Sequence, residues 1–191
     1  MTRKTFLRSF GLAALLLAPG SLAAAQQPAT QAAQQGAASP QNKNLQILLL
    51  SAALKPGPAG PEIPENAQKA LADLKKFLPF KSYQLIDAAW LSATELQAAR
   101  GRLAGSGGAT YKVELRFRTM TDGGVRSLFM DHFELSQEIV VQRTDGPQYG
   151  ERDLIRTTFS IKEGETIVVG SSKADGADGA LVVLLTAVPA S

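Results

Sequence analysis

Few residues in this chain could carry out acid–base or nucleophilic chemistry. His132 is the only histidine among the 191 residues, and cysteine is absent. A Ser-His-Asp arrangement would need Asp131 to orient His132 beside Ser127 or Ser136. Neighbours on a strand point to opposite faces, so Asp131 and His132 are predicted to point apart. His132 is therefore predicted to be a surface or edge-strand histidine, and the protein is predicted not to be an enzyme. Catalysis by carboxylates and hydroxyls alone is the remaining enzymatic alternative.

The residues that could hold a metal ion or a phosphate are equally few. One histidine and no cysteine exclude an ordinary zinc site. The stretch "DGADG", Asp175 to Gly179, offers two carboxylates, whereas calcium takes about six to eight oxygen ligands. Aspartate and glycine are also ordinary loop residues, which is the alternative interpretation. The glycines of "GSGGAT", Gly105 to Thr110, lack the spacing and the lysine of a phosphate-binding loop. No cofactor or metal is expected.

The N-terminus has the pattern of a signal peptide. Basic residues precede a short apolar run, Phe10–Ala18, and small residues follow at Ala23–Ala25. We predict a signal peptide over residues 1–25. The apolar run is far shorter than the roughly 20 residues of a spanning helix, so no transmembrane segment is expected after cleavage. An uncleaved membrane anchor is the alternative. The absence of an arginine pair favours the general secretion route, and the expected location is the periplasm or the cell exterior.

The charge balance argues against a nucleic-acid partner. The chain has 20 lysine and arginine residues against 17 acidic residues, and three of the basic residues lie in the predicted signal peptide. The remainder is therefore formally neutral, without the basic patch that nucleic-acid binding needs. Residues 26–43, rich in Gln, Ala, Ser and Pro, are predicted to be a disordered linker that serves as a tether or as a plain spacer. A single domain is predicted over residues 44–191.

The first part of that domain reads as a β-α-β unit. An apolar run at Asn44–Leu54 predicts a buried strand. Residues 64–78 predict one amphipathic helix, because their apolar side chains, Phe77 included, recur at steps of three and four. A second strand is predicted over Lys81–Leu91. Tyr83 and Trp90 are seven residues apart, so they are predicted to face opposite sides of that strand, with Trp90 in the core.

The rest of the chain is predicted to be antiparallel β-structure. Residues 92–104 fit either a helical turn or a strand, and the strand is favoured because a glycine-rich turn follows. The segment Val125–Val141 is long for one strand and is predicted to bend near Ser136. Residues 143–153 are predicted to be a polar loop. Ala180–Val188 is apolar on both faces and predicts the most buried strand. The fold class is α+β: an antiparallel sheet or sandwich of about eight strands with one helix.

The clearest strand lies at residues 111–118. Tyr111, Val113, Leu115 and Phe117 alternate with charged residues, so one face is predicted to be buried and the other wet. The wet face is our candidate interaction surface, and a plain solvated face is the alternative interpretation. Its members are Lys112, Glu114, Arg116 and Arg118.

The C-terminal segment Phe159–Ser172, "FSIKEGETIVVGSS", resembles a hairpin of the secretins, the ring-forming outer-membrane gates of secretion and pilus-assembly machines. The matching residues are Phe159, Ile161, Gly164, Thr166, Val168, Val169 and Gly170. Secretins carry a second glycine and a leucine next, where this chain has Ser171 and Ser172. The resemblance implies an accessory relative of a secretion or pilus system.

These observations predict an exported, non-catalytic binding or assembly protein that acts through protein contacts in the cell envelope. Edge-strand pairing is the expected mode. The expected partner is another envelope protein, and a homo-oligomer is also compatible with the sequence. The alternative is a carrier of a small apolar ligand or lipid, held between the helix and the sheet.

Overall fold

The computed structural model describes residues 40–57, 60–173 and 179–189. The predicted signal peptide, most of the predicted linker and residues 175–178 of the Asp-Gly stretch lie outside these ranges. The described part contains eight strands and one α-helix: β1 (Asn42–Ala53), α1 (Glu65–Leu74), β2 (Ser82–Thr94), β3 (Ala99–Ala104), β4 (Thr110–Asp122), β5 (Val125–Arg143), β6 (Gly146–Lys162), β7 (Thr166–Lys173) and β8 (Gly179–Val188).

The strands form two four-stranded antiparallel sheets. The first sheet has the order β2-β1-β8-β7 and the second has the order β3-β4-β5-β6. An apolar cluster from β1 and β8 of the first sheet and from β4 and β5 of the second fills the space between them. The predicted class, antiparallel β-structure with one helix, is confirmed.

The first sheet is covered on both faces because its two central strands are apolar on both. Ala180 to Ala187 of β8 are all buried, as predicted. On β1, Leu45, Ile47 and Leu49 point into the sandwich. Leu48 and Leu50 point the other way, where α1 covers them with Ala67 and Leu71. The layers are therefore helix, first sheet and second sheet.

The helix is shorter than predicted. It begins at Glu65, after Pro64, and ends at Leu74. The amide groups of Lys76 and Phe77 donate to carbonyls three residues back, so the chain tightens into turns ahead of Pro79. This tightening takes Phe77 off the apolar face, where it was predicted to lie, and its side chain is 82% exposed.

The predicted strand in residues 92–104 is present at Ala99–Ala104, and the glycine-rich segment that follows joins β3 to β4 as an antiparallel pair. The polar loop predicted at residues 143–153 is wrong. Only Thr144 and Asp145 turn, and β6 starts at Gly146, where φ is +116°. Those residues are polar because they are largely exposed, not because they are irregular.

The Glu163-Gly164 segment turns as predicted, with φ of +83° at Gly164, but it does not close a hairpin. The chain leaves the second sheet after β6 and enters the first sheet at β7, which pairs with β8. The turn is fixed by a hydrogen bond of 2.6 Å from the Gly164 amide to the Ala187 carbonyl. It therefore links the two sheets at one corner of the sandwich.

A nearly buried ion pair joins the start of β1 to this turn. The Nζ atom of Lys43 lies 2.6 Å from Oε1 of Glu163, and the Lys43 side chain is only 4% exposed. A buried ammonium that loses its carboxylate keeps the cost of desolvation without the attraction that offsets it.

Core truncation gives one test of this packing. We expect Leu185→Ala to lower the free energy of unfolding by about 2–5 kcal/mol, because it opens a cavity between the sheets. Val125→Ala, at an exposed position, is the matched control and should change it by less than about 0.5 kcal/mol. Urea unfolding followed by circular dichroism measures both, and equal losses would contradict the assigned core.

The buried ion pair gives a second test. Glu163→Gln leaves the Lys43 ammonium without a charged partner, and we expect a loss of roughly 1–3 kcal/mol in the free energy of unfolding. The double variant Lys43→Met with Glu163→Gln removes the stranded charge and should recover part of that loss. A double variant less stable than Glu163→Gln would show that the pair is not the source of the effect.

Candidate interaction surface

The alternation of β4 places its charged residues on the outer face of the second sheet. Tyr111, Val113, Leu115 and Phe117 are buried against the first sheet. The intervening Lys112, Glu114, Arg116 and Arg118 therefore point away from the core. No described element covers this face, whereas α1 covers the outer face of the first sheet.

One row of charges crosses all four strands of the second sheet. The register aligns Arg100 with Glu114, Glu114 with Glu134, and Glu134 with Arg156. Glu114 and Glu134 are like charges on adjacent strands, an arrangement that is unfavourable alone. Each is held by the arginine on its outer side: Arg100 Nε lies 2.7 Å from Glu114 Oε2, and Arg156 Nη2 lies 2.8 Å from Glu134 Oε2.

A second group of charges lies beside this row. Lys112 Nζ is 2.5 Å from Glu151 Oε1 and 3.3 Å from Glu138 Oε1. Arg102 Nη2 is 3.1 Å from the same Glu138 oxygen. The hydroxyl of Ser136 donates to Glu151 Oε2 over 3.3 Å. One lysine and one arginine thus share two carboxylates that come from β5 and β6.

The remaining two predicted residues lie toward the other end of β4. Arg116 Nε donates to Asp131 Oδ1 at 2.9 Å. The Arg118 guanidinium lies 4.8 Å from the centre of the Phe129 ring, within the range of a cation–π interaction. All four predicted residues therefore lie on one surface, and each contacts a residue of β3, β5 or β6.

Most of the partner residues on this surface were not predicted from the sequence. Arg100 and Arg102 stand two apart on β3, as Glu134, Ser136 and Glu138 do on β5, so period-two alternation could have identified them. Glu151 was hidden by the loop predicted at residues 143–153. A groove of about 490 Å³ on the sheet is lined by Arg100, Arg102, Lys112, Glu114, Glu134, Ser136 and Glu151.

The ion pairs hold these groups in their charged forms. The hydrogen bond from Arg100 lowers the pKa of Glu114, and the hydrogen bond from Lys112 lowers the pKa of Glu151. Conversely, the hydrogen bond to Glu151 raises the pKa of Lys112. The surface is thus a fixed pattern of paired positive and negative charges.

A β-bulge changes the surroundings of the histidine. Arg116 lies opposite His132 and Phe117 lies opposite Met130, so Asp131 is an inserted residue. Both Asp131 and His132 then face outward near Arg116, and the prediction that they point apart is wrong. His132 Nε2 lies 3.8 Å from Glu134 Oε2. Among the described residues no hydrogen bond joins His132 to Ser127 or Ser136, so no triad is assembled.

A second bulge overturns the prediction for Trp90. Leu49 pairs with Asp87 and Leu50 pairs with Leu85, which leaves Ile86 as an extra residue in β2. The inserted residue reverses the alternation, so Tyr83 and Trp90 lie on the same face of the first sheet. Tyr83 packs beside the helix. Trp90 is not in the core: its side chain is 62% exposed.

The proposed carrier site between helix and sheet is filled by side chains. The side chains that pack together there, each at most 3% exposed, are Leu48, Leu50, Ala52, Leu71 and Leu184.

In the described ranges no helix is long and apolar enough to cross a membrane. Within the same ranges, no three acidic or histidine side chains are grouped so that they could hold a metal ion.

Comparison with known proteins gives a structural likeness only. No protein-family model and no curated protein matches the chain. The secretin domain of InvG from the Salmonella SPI-1 injectisome has 10% sequence identity and a TM-score of 0.42, covering 80% of this chain and 64% of that one. The type II secretion system secretin GspD of E. coli K12 has 16% identity and a TM-score of 0.33, covering 77% of this chain and 47% of that one.

Both of these structures are secretins, so the predicted weak resemblance to secretins is found at the level of the whole chain. The chain spans less than two thirds of the length of either structure.

The lowered pKa of Glu114 gives a test by pH. Its folded pKa lies below the unfolded value of about 4.3, so the stability that it contributes is present above that value and is lost as the pH falls through the folded pKa. We therefore expect Glu114→Gln to be less stable than the wild type at about pH 7 and equal to it at about pH 2.

Urea unfolding midpoints measured across this pH range check the expectation. Glu62→Gln, in an exposed segment before the helix, is the control and should follow the wild type throughout. A constant difference between Glu114→Gln and the wild type at every pH would contradict the assigned ion pair.

Proposed function

We propose that this protein is exported to the periplasm or the cell exterior and binds another envelope protein there without catalysis. The observation that carries the proposal is the outer face of the second sheet, which no described element covers and on which charges of both signs are fixed in rows. Export is proposed from the signal-peptide pattern of residues 1–25.

The charge pattern suits recognition more than strong attraction. Arg100 and Arg102 lie at the edge of the groove and are largely exposed, and arginine is enriched at protein interfaces. Because each charge already has a partner on the sheet, a docking protein gains little from a single new ion pair. A partner with the wrong pattern would bring like charges together, which costs several kcal/mol. The surface therefore favours a specific partner of matching pattern.

The same pairing disfavours catalysis at this surface. His132 stands against Glu134, and the carboxylates of Glu114 and Glu151 are held by Arg100 and Lys112. A general base must be free to take a proton from substrate, and carboxylates held in their charged forms are weak bases. The sequence of the segment Phe159–Gly170, which resembles secretins, is our reason for including secretion and pilus-assembly machines among the candidate partners.

Photo-cross-linking in intact cells tests this function. A photoreactive amino acid at Arg118, on the outer face, should give a discrete cross-linked product on irradiation. The same amino acid at Lys69, an exposed position on α1, is the matched control and should give none. A product whose mass is twice that of the chain would identify a homo-oligomer. No product at Arg118, or equal products at both positions, would count against the proposed surface.

A charge exchange separates recognition from folding. Arg100→Glu and Glu114→Arg should each reduce the cross-link, because each breaks the row of charges. The double variant restores an internal ion pair but presents the reversed pattern to the partner. It should regain stability and still fail to cross-link if the pattern is recognised. Full recovery of the cross-link would show that only the integrity of the sheet matters.

A further inference from the structure

The β5–β6 hairpin extends beyond the rest of the second sheet. β4 makes its last pair with β5 at Tyr111 and Gln137, whereas β5 and β6 continue to pair as far as Arg143 and Gly146. We call this extension, residues 138–151, the arm. It is a two-stranded ribbon, and isolated two-stranded ribbons are only marginally stable in water.

The arm carries apolar side chains that the described residues leave open to solvent. Val140 and Tyr149 are directly opposite one another, with exposed fractions of 54% and 84%. Val141, on the next position, is also exposed. Valine, isoleucine and tyrosine favour strands because they pack against neighbouring strands. Val140, Val141 and Tyr149 are thus residues of the types that covered strands favour.

Pro147 reveals which backbone groups of the arm are unused. It lies opposite Gln142, and proline has no amide hydrogen, so these two residues cannot form a hydrogen-bonded pair. The pairs then alternate, and Val140 with Tyr149 is also a non-hydrogen-bonded pair. The N–H and C=O groups of Val140 and Gln142 therefore point away from β6. They point to the side that β4 occupies in the rest of the sheet, but β4 does not extend along the arm.

The two edges of the arm differ in how they are protected. The β6 edge carries Pro147 and then the charged run Glu151–Asp153, which are devices that block pairing with another chain. The β5 edge reads Glu-Ile-Val-Val-Gln over residues 138–142 and contains no proline. Only the β5 edge is left suitable for an added strand.

A groove lies beside the β5 edge of the arm, where an added strand would be placed. It has a volume of about 430 Å³ and lies between Thr110 at the start of β4 and the Val140–Tyr149 pair. Arg102 and Lys112 form part of its lining. A strand placed in this groove would continue the line of β4 along the arm.

We propose that the β5 edge of the arm binds an extended segment of a partner protein by strand addition. The segment pairs its backbone with Val140 and Gln142. It places a β-branched or aromatic side chain beside Val140 and Tyr149, and a carboxylate beside Arg143 at the tip. This inference rests on the proposed function and specifies the part of the partner that is recognised.

Amide hydrogen exchange measured by NMR on the folded chain tests the proposal. The probe is a short synthetic peptide of alternating valine and threonine with one glutamate. We expect the amides of Val140 and Gln142 to exchange rapidly in the free protein and about tenfold or more slowly with the peptide bound. The control peptide carries an N-methyl group on its central valine and should give a much smaller effect.

A proline variant isolates the backbone contact. Gln142→Pro removes one donor on the open edge and no hydrogen bond to β6, and Pro147 shows that the ribbon accepts proline at such a position. Peptide affinity should fall by about five- to tenfold, the effect of one backbone hydrogen bond, while Gln142→Thr should retain it.

Three outcomes would overturn the inference: no change at Val140 and Gln142, equal effects from both peptides, or slow exchange that depends on protein concentration without peptide. The last would show that a second copy of the chain covers the edge. A cross-link at Arg118 without peptide binding would leave the proposed function intact and remove only strand addition.

Discussion

The structure depends on two neighbouring strands, β1 and β8, that are apolar on both faces. A strand of this kind must be covered from both sides, because each uncovered face would leave leucine and valine side chains in water. The helix covers one face with Ala67 and Leu71, and the second sheet covers the other. The three layers follow from this one requirement.

The second sheet has only one face to bury, and this accounts for its outer surface. Where its strands lie over the core, apolar and polar residues largely alternate, so folding brings the polar ones together on the outside. Burial of Val113, Leu115 and Phe117 thus fixes the spacing of Lys112, Glu114 and Arg116. The charge pattern is positioned by the core beneath it, which is why a surface of long side chains can be specific.

Local sequence patterns predicted the strands and the helix of this fold better than they predicted how the strands pair. The alternation at residues 111–118 predicted both faces of β4, because one buried face imposes period two along a strand. The exposed Trp90 and the adjacent Asp131 and His132 were predicted wrongly because one inserted residue reverses that period. Bulges at Ile86 and Asp131 are set by pairing with β1 and β4, and such long-range pairing leaves no mark in the local sequence.

The candidate surface was predictable only in part for a related reason. Four of its residues lie on β4, and the alternation of that strand predicted them. Glu138, Glu151 and Arg156 come close to those four only because β4, β5 and β6 pair. The part of the arm after Gln142 was mistaken for a loop because a ribbon that is open on both faces has no apolar periodicity. Polarity indicates exposure, and a strand can be exposed.

The central position of β1 also determines how the domain responds to mechanical force. β1 is the first described strand, and it is paired on both sides, with β2 and with β8. Antiparallel hydrogen bonds lie perpendicular to the strand, so tension directed along β1 loads the hydrogen bonds of both ladders in shear. The buried Lys43–Glu163 pair stands where that tension enters the domain. A pull along this strand therefore acts on two ladders together, whereas a pull along an edge strand such as β2 would act on one.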